Sequence, residues 1–151
     1  MAVEIPVSLN DGQRSLYDYL NESTAIRQSC TVKAQGNGLT VILALLGVQI
    51  LQTGKKLVYV TKSESLAVVF WNMVRIYLPA EHDRLLANLK LAIAPPDNNL
   101  KGVHADVFLV DHLTTMPLLL LPFVEMPERY NESTVVLVHR IKQPDVIEKV
   151  G

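Results

Sequence analysis

The chain has 151 residues, 49% of them hydrophobic and 19% charged, with a formal net charge of −1. That length suits a single domain over residues 1–151, the composition excludes a disordered polar chain, and no apolar run reaches the roughly 18 residues of a membrane span. The charge offers no basic excess of the kind duplex-binding domains carry, so a nucleic acid partner is allowed but not supported, and the pairs Lys55 with Lys56 and Arg140 with Lys142 read as solvated surface.

The opening residues MAVEIPVSLNDGQ carry no basic segment ahead of an apolar one, and Cys30 is the only cysteine. The expectation is a reducing, cytoplasmic or other intracellular setting, in which the Asn21 and Asn131 triplets are chance matches to a glycosylation signal. SLYDYLN (residues 15–21) has helical character, and SCTVKA (residues 29–34) has the β-branched character of a strand. A glycine-rich turn follows, then TVILALLGVQILQT (residues 40–53), apolar on nearly every face, which predicts a buried helix stopped by Gly54. KLVYVT (residues 56–61) predicts a buried parallel strand. Residues 63–78 return to helical spacing, with Ser63 or Ser65 to cap the start and Pro79 to close the end. Residues 81–100 hold a helical piece and a short strand ending at Pro95 and Pro96. Residues 107–110 predict a strand ending in Asp111, residues 117–125 a helix, and STVVLVHR (residues 133–140) a further strand. Strands alternating with helices predict an α/β fold, a mostly parallel sheet with helices on both faces.

Residues 33–40, KAQGNGLT, fall between a predicted strand and a predicted helix, where an ATPase phosphate loop lies. In G-x-x-x-x-G-K-[ST] the lysine neutralises the outer phosphates and the hydroxyl binds Mg²⁺. Here Gly38 and Thr40 keep the second glycine and the hydroxyl, Lys33 stands at the first glycine, and Leu39 stands at the usual lysine. Gly36, Asn37 and Gly38 supply backbone N–H groups to phosphates, or Gly36 and Gly38 simply permit a tight turn. The other half of such a site is an acid at the end of a neighbouring strand that holds Mg²⁺, followed by a glutamate that orients water. Asp111 takes the first place, as a Mg²⁺ ligand with Thr40 or as a cap for a following helix, and His112 takes the second. An imidazole there is read as structural.

These pieces resemble the ATPase domain of large terminase subunits, the motors that package viral DNA, and more broadly the first domain of superfamily 2 helicases. The resemblance runs through Gln13 in LNDGQRSLYDYL, GNGLT, KKLVYVT, LKG with HAD and VFLVDH, and VVLVHR, covering residues 13–140. It implies a RecA-like P-loop NTPase fold, ATP with Mg²⁺ as cofactors, Gln13 as an adenine-reading residue, other subunits of a motor or assembly as partners, and a host cell location if viral. Some terminases place the phosphate-binding lysine first in the motif, which makes Lys33 a phosphate ligand by resemblance, against the plainer reading of surface charge. With Leu39 and His112 at the usual lysine and glutamate positions, efficient ATP hydrolysis by this chain alone is not expected. The rival reading is a RecA-like pseudo-ATPase kept as an assembly or protein-interaction module, in the manner of the Elongator subunits that retain such a fold, and an oligomer is expected. His104 and His139 have no metal-ligand spacing, Cys30 reads as a small buried side chain, and residues 118–121 read as core or as a partly exposed leucine patch at a partner surface.

Overall fold

The computed structural model of the chain describes residues 9–28, 30–34, 38–61, 63–93, 105–113 and 133–140. The expected helix over residues 117–125, the loop at Pro95 and Pro96, Gly36, Asn37, His104 and Lys142 lie outside the described residues.

Helix α1, Asp11–Ala25, begins before the helical stretch expected from residue 15, because Asn10 caps it. The Asn10 Oδ1 accepts from the Gln13 backbone N–H at 2.8 Å, and the Asn10 backbone N–H donates to Gln13 Oε1 at 3.0 Å. This reciprocal pair satisfies two donors that a helix start otherwise leaves open. Strand β1, Cys30–Ala34, leads toward helix α2, Leu39–Gln52. All of residues 42–48 are buried, as the continuous apolar sequence predicts. Gly54, at φ 83°, ends α2 in the left-handed conformation that glycine adopts without cost, as expected.

Strand β2, Leu57–Thr61, is buried throughout. Helix α3, Glu64–Tyr77, is capped by Ser63, whose Oγ accepts from the Leu66 backbone N–H at 3.1 Å, and Leu78 is extended ahead of Pro79. Of the two candidate caps the structure therefore uses Ser63. The helical piece beyond is a 3-10 helix, Ala80–Asn88, running directly into strand β3, Leu89–Ile93. Strands β4, Val107–Leu113, and β5, Thr134–Arg140, complete the described elements.

The five strands form one all-parallel sheet in the order β1-β5-β4-β2-β3. Strand β4 does not end at Asp111: its pairing with β2 stops at Thr61 opposite Asp111, but its pairing with β5 runs on to Leu113 opposite Arg140. Asp111 thus lies within the sheet's last rungs. One sheet face, with Leu57, Tyr59, Val107, Leu109, Val136 and Val138, packs against Tyr17 and Leu20 of α1, most of α2, and Phe70 and Val74 of α3. The described helices all lie on that face. The other face, with Val58, Val60, Ala92, Phe108 and Val110, is also buried, which accounts for strands that are apolar at consecutive positions. At Gly47 the two inner helices come close, since a Cβ there would lie 3.0 Å from Phe70 Cζ. Among the described residues no helix is long and apolar enough to cross a membrane.

Candidate functional site

In a parallel sheet every strand delivers its carboxyl end to the same edge, and ligand sites of α/β folds form there. Side-chain alternation then selects the residues that meet. Tyr59 shares the helix-covered face with Leu57, Asp111 shares it with Val107 and Leu109, and Arg140 follows Val136 and Val138 at the same period of two. The start of α2 enters this edge from β1 and brings Thr40.

Arg140 joins these groups. Its Nε donates to Asp111 Oδ1 at 2.6 Å, and its Nη2 donates to Asp111 Oδ2 at 2.8 Å and to Thr40 Oγ1 at 2.8 Å. The Tyr59 hydroxyl donates to Asp111 Oδ2 at 2.5 Å. Asp111 is completely buried, and the Arg140 side chain is 17% exposed. A forked guanidinium meeting both carboxylate oxygens is the strongest geometry this ion pair has. Behind the hydroxyl, the Tyr59 ring stacks on Phe70 with centroids 3.8 Å apart and planes 5° from parallel. Asp111 and Arg140 together tie four elements, α2, β2, β4 and β5, with α2 joined through the guanidinium, and α3 buttresses the group through Phe70.

The electrostatics follow from burial and from this pairing. Burial pulls the Arg140 pKa down, but the hydrogen bonds and negative charge of Asp111 more than offset it, so the net direction is upward and the guanidinium stays charged. Burial, then the adjacent Asp111 charge and its hydrogen bond, push the Tyr59 hydroxyl far above its ordinary value, so it remains a donor. Burial raises the Cys30 thiol as well, against a smaller opposing hydrogen bond from Ser23; the side chain packs against the core but is half-buried, not fully buried as expected.

Thr40 and Asp111, the expected Mg²⁺ ligands, are therefore brought together, with a guanidinium between them. Mg²⁺ needs oxygen ligands in near-octahedral geometry and is held by one or two carboxylates, with waters and phosphates completing the shell. Here the one carboxylate has both oxygens engaged by Arg140, one of them by Tyr59 as well, and its charge is balanced within the protein. As arranged, this donor set does not fit Mg²⁺. Among the described residues no group of three or more His, Cys, Asp or Glu side chains is placed to hold a metal ion.

The other expected site residues divide clearly. Gly38 sits at the α2 N-terminus with φ 87°, and a Cβ there would collide with the Gln13 side-chain amide, so Gln13 and the loop do meet. The Gln13 carbonyl oxygen is engaged in the α1 cap. Leu39, at the usual lysine position, is a core residue, 4% exposed. The Lys33 backbone lies in β1 opposite His139, and the His112 backbone lies in β4 opposite His139; the side chains of all three lie outside the described part.

Two residues of the constellation were not expected. Arg140, read as solvated surface with Lys142, is instead the partner of a buried acid. A charged residue in phase with Val136 and Val138 was a signal, but it carries no meaning until β5 is known to lie beside β4. Tyr59 was read only as part of an apolar strand, although a buried phenol requires a hydrogen-bond partner. No protein-family model matches the chain, and no curated protein matches it in sequence.

Proposed function

We propose that this chain is a RecA-like domain that does not turn over ATP and serves as an assembly or protein-interaction module. The observation that carries the reading is the Arg140 guanidinium held between Thr40 Oγ1 and Asp111, where a hydrolysing site of this class needs a divalent ion. Phosphoryl transfer depends on positioned positive charge and an oriented water, and here the acid is spent on an internal ion pair. Leu39, at the usual lysine position, is in the core and offers no replacement for that lysine. A module of this kind works with other subunits, and self-association or a stable hetero-complex indifferent to ATP is its expected behaviour.

A second reading is favoured by one contact. Gln13 lies against Gly38 at the uncapped start of α2, which supports weak nucleotide binding by a terminase-like or helicase-like domain within a DNA-processing or packaging motor. Thermal unfolding of the chain and of Lys33→Ala, with and without millimolar Mg-ATP, separates the two. Ligand at 100 times its Kd stabilises a native state by about 2.7 kcal/mol. The module reading expects no rise in either protein and no phosphate release; a rise in the wild type that Lys33→Ala abolishes would establish the nucleotide site instead.

A further inference from the structure

We propose that Arg140 is a built-in substitute for a divalent cation, and that it masks a latent metal site made by Thr40 and Asp111. The inference deepens the non-hydrolysing reading and rests on it. The guanidinium does what an ion at this edge would do: it contacts the threonine hydroxyl at the start of α2 and both carboxylate oxygens of β4 at 2.6 to 2.8 Å, and it neutralises a completely buried charge. A metal ion and Arg140 therefore compete for the same acceptors. Covalent attachment decides that competition, because the arginine is present at effectively fixed local concentration and its planar fork matches the carboxylate. The Tyr59 hydroxyl, stacked in place by Phe70, fills part of the remaining hydrogen-bonding capacity of Asp111 and keeps its carboxylate oriented toward Arg140. The consequence is a cation position that is always occupied and does not respond to magnesium.

The test uses Mn²⁺ as the probe, with no nucleotide, on the full ¹⁵N-labelled chain. Paramagnetic broadening of backbone amides reports even millimolar binding and locates it. In the wild type, titration with MnCl₂ is expected to leave the amides around Thr40 and Asp111 no broader than the rest of the protein. Arg140→Met is expected to show saturable, selective broadening at both places, lost again when Asp111→Asn is added. Arg140→Lys keeps a positive charge without the fork and serves as the second variant if Arg140→Met does not fold; it is expected to show selective broadening at both places above the wild type, and no broadening above the wild type in that folded variant would overturn the proposal. Selective broadening in the wild type that Asp111→Asn removes would overturn the proposal, since Arg140 would not then keep the ion out. Absence of broadening in folded Arg140→Met would overturn it too, since no latent site would lie beneath. Mn²⁺ uptake by a wild type that still releases no phosphate from ATP would sink this inference alone; phosphate release from ATP would sink the non-hydrolysing reading and this inference with it.

Discussion

Asp111 and Arg140 form one ion pair but occupy unequal environments, and the inequality sets what each contributes. The carboxylate has no exposed surface, while the guanidinium retains 17% of its own. Removing the arginine strands a buried negative charge; removing the acid leaves a cation with a route to water. Arg140→Met is accordingly expected to cost about 3–5 kcal/mol, the scale of breaking a buried pair from one side. Asp111→Asn is expected to cost less, because the amide keeps a carbonyl that accepts from the Tyr59 hydroxyl. Combined with Arg140→Met it is expected to recover about 2 kcal/mol, since the double variant buries no unpaired charge. Urea unfolding of the wild type, both single variants and the double variant measures this coupling, and simple additivity of the two losses would contradict it.

At the scale of elements, α2 is the piece that joins sheet to site, and it is fastened at both ends and in the middle. Its start is set by Gly38 at φ 87°, its centre approaches α3 at Gly47, and it stops at Gly54. Gly38 bears two constraints at once, a left-handed backbone and the Gln13 amide where a Cβ would stand. The amide ends a flexible side chain and can move aside; the backbone angle cannot be relieved that way. Gly38→Ala is therefore expected to destabilise the fold by about 1–3 kcal/mol. Shortening Gln13 to Ala in the same chain is expected to leave most of that loss in place, because it removes only the collision. Thermal denaturation of the single and double variants checks this. Full recovery in the double variant would show that crowding and not backbone strain governs the start of α2. The Asn10 and Gln13 cap follows a local Asn-x-x-Gln pattern that the reading from residue 15 passes over, and the side-chain approach of Gln13 to Gly38 has no local signal, since it joins α1 to a segment after an intervening strand.

For the whole molecule, the buried constellation makes stability depend on alkaline pH. The Tyr59 hydroxyl is raised above its ordinary value in the folded chain, chiefly by burial and then by Asp111. In the unfolded chain a tyrosine ionises near pH 10. The folded state thus keeps a proton that the unfolded state releases, so this stabilisation is complete below about pH 10 and is lost as pH climbs beyond it. Tyr17, raised mainly by burial, acts in the same direction. Tyr59→Phe is expected to cost about 1–3 kcal/mol at neutral pH through the lost hydrogen bond. Above pH 10 it is expected to flatten the fall in stability by up to about 1.4 kcal/mol per pH unit. Denaturant unfolding of wild type and Tyr59→Phe between pH 8 and 11 reads both effects, and parallel pH profiles would show that Tyr59 titrates as readily as an exposed tyrosine.

The sequence by itself determined the kinds and order of the described elements. Continuous apolar strands, an all-round apolar α2, Ser63 before α3 and glycine after α2 each act within a few residues, so local periodicity and capping chemistry were enough to read them. It also marked Thr40 and Asp111 as neighbours in a site, through the phosphate-loop pattern. Only the tertiary structure decided what lies between them. Strand order is set by pairing between segments far apart in the chain, and no local pattern reports that β5 is inserted between β1 and β4. That insertion turns Arg140 from a surface charge into the partner of Asp111, and the pairing of β2 with β4 on the other side gives the Tyr59 hydroxyl its acceptor. The physical reason is that a buried charge is tolerable only where another element delivers its counter-charge, and that delivery belongs to the assembled sheet.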